Sequence, residues 1–99
     1  MTITPSNLLV MTYCKGSITA KKIATEVVVQ ELASGVQIIN GVNSFFRWVG
    51  KVENAEEHLL LIRTNTDVYE ELEKCIKRLH PHELPEILSV PVNTNLTDN

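Results

Sequence analysis

The hydrophobic pattern changes period along the chain, and each change marks an element. Leu8–Tyr13 (LLVMTY) is a short apolar run bounded by Lys15-Gly16-Ser17, which predicts a buried strand. From Ala20 to Leu32 the apolar positions Ala20, Ile23, Ala24, Val27, Val28 and Leu32 fall on one helical face, with Ser17 or Thr19 placed to cap and Gly35 placed as the stop. Val27-Val28-Val29 favours a strand, because branched side chains lose rotamer freedom in a helix, but length, cap and stop signals favour a helix. Val36–Trp48 is rich in branched and aromatic residues, Val49-Gly50-Lys51 punctuates it, and Val52–Thr66 returns, which predicts a long β-hairpin. Asp67 and Glu70 have capping-box spacing ahead of an apolar stripe, Val68, Leu72, Cys75, Ile76 and Leu79, that Pro81 ends. Ile87–Val92 predicts a last strand, confined to an edge or an end by Pro91, before a polar tail, Asn93–Asn99.

The order β-α-β-β-α-β is the ferredoxin-like α+β arrangement: a four-stranded antiparallel sheet with both helices on one face. A single domain spanning 1–99 is expected, since a chain of 11.1 kDa supports one small core. The hairpin does not fit inside it. Thirteen extended residues from Val36 to Trp48 span about 43 Å, whereas a compact chain of this length has a diameter of only about 33 Å. A protruding hairpin bearing Phe45, Phe46 and Trp48 needs either a second chain to cover it or a bulge or sharp bend at Asn40-Gly41 that folds it back; an oligomer is the expectation.

Charge and composition narrow the function. Nine Lys and Arg against 12 Asp and Glu give a net charge of -3, which excludes a basic-patch nucleic-acid domain. The longest apolar run, Leu59–Ile62, is far short of a membrane span, and Met1–Asn7 lacks the pattern of an export signal, so a cytoplasmic protein is expected. His80, His82, Glu83 and Glu86 gather four potential ligands for a divalent transition metal in an irregular turn, where helix-end electrostatics and a solvated turn are the plainer reading. Cys14, between a strand end and a helix start beside Lys15, is in a setting expected to lower its pKa, as a soft ligand or reactive thiol requires. No nucleophile, base and orienting group have recognisable spacing, so no enzyme is expected; the alternative is a small enzyme whose active site forms between subunits.

Gly41-Val42-Asn43-Ser44, Trp48-Val49-Gly50-Lys51-Val52-Glu53, Glu57, Leu59–Thr64 and His80-Pro81-His82-Glu83-Leu84-Pro85-Glu86-Ile87 together resemble the CutA divalent-cation tolerance family, in register from about Val36 to Val92. That resemblance implies a homotrimer joined through long strands and similar in architecture to P-II signalling trimers. It also implies a role in tolerance of divalent cations such as copper. An inter-subunit cleft would involve Trp48, Lys51, Glu57, Glu83 and Glu86, with His80, His82 and Cys14 as candidate metal ligands. The chain departs from the family pattern at Gly35 (usually Cys), Asn40 (usually Pro), Val49 (usually acidic) and His82 (usually Tyr). Its polar tail stands where the family has a Tyr-Leu-x-Trp segment, which leaves the expected cleft one packing element short.

Overall fold

The computed structural model describes residues 6–80 and 85–93. Its elements are β1 (Asn7–Cys14), α1 (Ser17–Val29), β2 (Gly35–Trp48), β3 (Lys51–Asn65), α2 (Tyr69–Leu79) and β4 (Ile87–Pro91). The strands form one antiparallel sheet in the order β2-β3-β1-β4, the ferredoxin-like arrangement with both helices on one face. Along β1 and β3 the even-numbered residues Val10, Thr12, Leu60, Ile62 and Thr64 are buried beneath the helices. Ile23 and Val27 of α1 and Leu72, Cys75 and Ile76 of α2 close this core from above.

The helix termini differ from the sequence expectation. Helix α1 stops at Val29, with Glu31 in the left-handed region (φ 59) and Gly35 already the first residue of β2. Leu32 N–H donates to Val27 O (2.8 Å) and Glu31 N–H to Val28 O (3.0 Å), the paired bonds of a Schellman ending, with Glu31 where glycine is usual. The left-handed stop residue is therefore Glu31, four residues before Gly35, because buried Leu32 packs back towards Val27 and turns the chain there. Helix α2 has no side-chain cap, and Val68 is its N-cap. Asp67 is drawn out of the expected capping box by a tight turn in which its N–H donates to Asn65 Oδ1 at 2.9 Å. The charges of α2 suit its macrodipole, with Glu70 and Glu71 in the first turn and Lys77 and Arg78 in the last.

The hairpin protrudes. Trp48 pairs with Lys51 across a two-residue turn with positive φ at both Val49 (50°) and Gly50 (75°), the backbone of a type I′ turn. The principal extents are 50 × 25 × 21 Å and the radius of gyration is 14.9 Å, against about 12.6 Å for an average chain of this length. A bulge does sit at Asn40-Gly41: Ile39 pairs with Leu59 and Val42 with Glu57, so two residues of β2 oppose His58 alone. Gly41 has φ 71, and His58 Nδ1 lies 2.8 Å from Asn40 Oδ1. This irregularity does not fold the arm back over the core, since Phe45 and Trp48 beyond it are well exposed.

Candidate functional site

The sheet's register sets where the candidate residues stand. Cys14, the last residue of β1, pairs with His58 of β3, and Glu57 is the next residue towards the arm. At the same end of the sheet Thr12 Oγ1 donates to the Glu86 carbonyl (2.8 Å), immediately before Ile87 pairs with Thr12. His80 follows the last turn of α2, its N–H donating to Lys77 O (3.2 Å). Only four residues separate it from Pro85, so His80 and Glu86 belong to one end of the domain. His82 and Glu83 lie outside the described residues. Trp48 and Lys51 stand at the arm's tip, six residues along β3 from Glu57, which at strand rise is about 20 Å. A single chain therefore divides the described candidate residues between a sheet-end group and a tip group.

Cys14 is not the activated thiol expected from its neighbour Lys15. It is 3% exposed, and burial, with a smaller contribution from the Glu57 carboxylate, pushes its pKa up to about 11. Its side chain is on the helix-facing side of β1, so desolvation of the thiolate outweighs a lysine that points to solvent. Cys75 is likewise a buried free thiol, with Arg78 Nη2 3.5 Å from its sulfur. Among the described residues no three His, Cys, Asp or Glu side chains converge as a metal site.

The bulge has a consequence for the arm that sequence alternation concealed. Directly opposed residues of an antiparallel pair share a face. Val36 and Ile38 pair with Ile62 and Leu60 and face the helices. Beyond the extra residue, Val42, Phe46 and Trp48 pair with Glu57, Glu53 and Lys51, the odd-numbered side of β3, and so face the opposite way. That opposite side of the sheet has no helix over it, yet Leu9, Met11, Leu59, Leu61, Leu88 and Val90 line it. The bulge thus joins the aromatic side of the arm to an apolar sheet face in one continuous surface. The indirect sign in the sequence is that β1 and β3 are apolar on both alternations, as strands buried on both faces are.

A groove of about 550 Å³ lies at the other end of the sheet, between the end of α1 and the start of α2. It is lined by Leu8, Val28, Leu32, Ser34, Val68 and Val92 and includes none of the candidate residues. No helix among the described residues is long and apolar enough to cross a membrane.

Fold and site define the class: a ferredoxin-like α+β domain with an overlong β2-β3 arm and an apolar outer sheet face. A family model for the CutA1 divalent ion tolerance protein matches residues 8–98, and the chain belongs to that family. The divalent-cation tolerance protein CutA of Thermus thermophilus is 40% identical over 73 residues, 74% of this chain and 71% of that protein. The chloroplastic protein CutA of Arabidopsis thaliana is 35% identical over 72 residues, which cover 73% of this chain but only 40% of that one. A solved structure of the divalent cation tolerance protein (Cut A1) from Thermus thermophilus superposes with a TM-score of 0.85 at 33% identity. That alignment covers 91% of this chain and 87% of the other.

Proposed function

We propose that this protein is a cytoplasmic homotrimer that acts in the tolerance of divalent cations such as copper, binding a cation or small ligand in clefts between its subunits. The observation that carries this reading is the division of the candidate residues. Trp48 and Lys51 sit at the tip of an arm that holds them about 20 Å from Glu57. A single cleft containing both groups needs the tip of one subunit beside the sheet end of another.

The apolar outer face supports the same reading. The isolated protomer exposes 7365 Å², against roughly 5,700 Å² for an average folded monomer of its mass. A surplus of that order, carried partly on an apolar sheet face, is what an obligate protomer shows when its neighbours are removed. In the assembled cleft Lys51 and Glu57 would set the electrostatics, Glu83 and Glu86 would supply oxygen donors, and the imidazoles of His80 and His82 would be the nitrogen ligands for copper. Cys14 would join them only as a thiolate, which a bound metal ion would have to stabilise against burial.

The test combines mass and metal. Light scattering at micromolar concentration is expected to give three times 11.1 kDa; a monomer rejects the assembly. Titration of Cu(II) followed by calorimetry is expected to show at least tenfold weaker binding in the His80→Ala/His82→Ala double variant, and unchanged affinity rejects the imidazole ligands.

A further inference from the structure

His58 belongs to none of the sequence motifs, yet the sheet gives it two neighbours of complementary chemistry. It sits on β3 between β1 and β2, directly opposite Cys14 on one side and the Asn40-Gly41 bulge on the other. Directly opposed residues share a face and hold their Cβ atoms about 5 Å apart. The Cys14 thiol and the His58 imidazole therefore leave the same, helix-facing side of the sheet, close enough for one ion to reach both.

The bulge fixes how the imidazole is turned. His58 Nδ1 and Asn40 Oδ1 are 2.8 Å apart on the β2 side of β3. An amide oxygen only accepts, so Nδ1 is the donor and carries the ring's proton. Nε2 lies across the ring from Nδ1, and the bond to Asn40 therefore swings the Nε2 edge towards β1 and Cys14. Its lone pair has no hydrogen-bond partner among the described residues. An imidazole anchored by a carbonyl at one nitrogen and bare at the other is the arrangement in which histidine ligates metals.

The donor set selects the ion. Thiolate and imidazole together suit Cu(I), a soft cation that is stable with two ligands, whereas zinc and Cu(II) call for about four. Two such side chains meet here, and among the described residues no third His, Cys, Asp or Glu converges on them. Glu57, adjacent to His58, is near enough to raise the Cys14 pKa, and the same negative charge that opposes a bare thiolate attracts a cation. His58 is half-buried and Cys14 only 3% exposed, so an ion held between them is largely withdrawn from water.

We propose that Cys14 and His58 form a Cu(I) site within each chain, with Asn40 as the residue that positions the imidazole. The ion takes the place of the thiol proton, which is released to solvent, and no electron is transferred because the copper arrives already reduced. This site goes beyond the inter-subunit one proposed above. It takes a monovalent soft cation, shares only Cys14 with that cleft, and needs no second chain.

Competition for Cu(I) under ascorbate, without oxygen, tests it, with the coloured Cu(I)–bicinchoninate complex as the source of metal. The wild type is expected to withdraw one equivalent of copper per chain and to gain the near-ultraviolet absorption of a copper thiolate. Cys14→Ala and His58→Ala are each expected to weaken binding by about a hundredfold or more, and Asn40→Ala, which keeps both ligands, by about tenfold. His58→Gln still bonds Asn40 but offers no imidazole. It is expected to lose copper as His58→Ala does while the copper-free melting midpoint stays at the wild-type value, which separates a ligand from a residue that only pins the bulge. The His80→Ala/His82→Ala variant is expected to match the wild type. A wild type that leaves the bicinchoninate complex intact overturns the site, as does undiminished affinity in Cys14→Ala or in both His58 variants. Unaltered affinity in Asn40→Ala overturns the positioning role. A loss in the His80→Ala/His82→Ala variant as large as in His58→Ala would assign the copper to the inter-subunit cleft instead.

Discussion

Three side chains carry more of the local energetics than their place in the sequence suggests. Val49 occupies the first central position of the arm's turn with φ 50, where asparagine or glycine is at ease and a branched residue costs about 1–2 kcal/mol. Replacing Val49 with Asn is expected to raise stability by about 1 kcal/mol, read as a higher urea midpoint at fixed protein concentration. A lower midpoint would mean that the valine side chain contributes more to packing at the tip than its backbone strain costs. Cys14 and Thr64 illustrate the opposite condition, comfortable burial. The Thr64 hydroxyl donates to the Leu32 carbonyl at 2.8 Å and ties the end of α1 to β3.

The Cys14 thiol is held neutral by burial, with its pKa pushed up to about 11. Its folded-state pKa lies above its unfolded value, so the unfolded chain releases the proton first as pH rises. Stability is thus unaffected by this group below about pH 8.5 and declines from there to about pH 11. Thermal midpoints measured from neutral pH up to about pH 11 should fall more steeply in the wild type than in Cys14→Ala. Parallel profiles would show that the thiol does not titrate against a desolvated site.

At the scale of elements, the bulge decides which side chains the arm presents. Gly41 adopts φ 71 with nothing within 4 Å of where a Cβ would stand. Any substitution penalty there is conformational rather than steric. Gly41→Val is expected to cost about 1–2 kcal/mol and Gly41→Asn distinctly less, because Asn tolerates the left-handed region. Denaturant midpoints for the two variants check this ranking, and equal losses would show that the site does not need positive φ. Residue patterns made most of the elements legible. The stripe Val68, Leu72, Cys75, Ile76 and Leu79 became the inner face of α2, and Pro91 ends an edge strand as expected. Helix boundaries were less legible, since Glu31 adopts a left-handed conformation that its own type does not favour, and the Asn65 side chain draws Asp67 into a turn that competes with the capping box.

The whole molecule is a chain with an arm that it does not itself cover. Trp48 is 65% exposed at the far end of a body 50 Å long. If the assembly buries the indole, Trp48→Ala removes a large apolar contact whose loss at such sites commonly costs several kcal/mol. The melting midpoint of the variant is then expected to fall and to depend on concentration over a hundredfold dilution. A midpoint that fell without any dependence on dilution would place the tryptophan's contribution within one chain.

The sequence by itself determined the element order, the ferredoxin-like class and the presence of an overlong hairpin, because hydrophobic period, turn residues and strand rise are local properties. It also placed His80 and Glu86 at the turn before the last strand. Only the tertiary structure decided that the arm stays extended, since a bulge at Asn40-Gly41 is compatible with either course and the direction is set by pairing with β3. Only the register showed that Phe46 and Trp48 share a face with Leu59 and Leu61, because Asn40-Gly41 marks a possible bulge in the sequence but not whether one additional residue there reverses the alternation. The state of Cys14 was also a tertiary outcome. Its neighbour in sequence is a lysine, but its neighbours in space are the core, and desolvation outweighs an exposed cation.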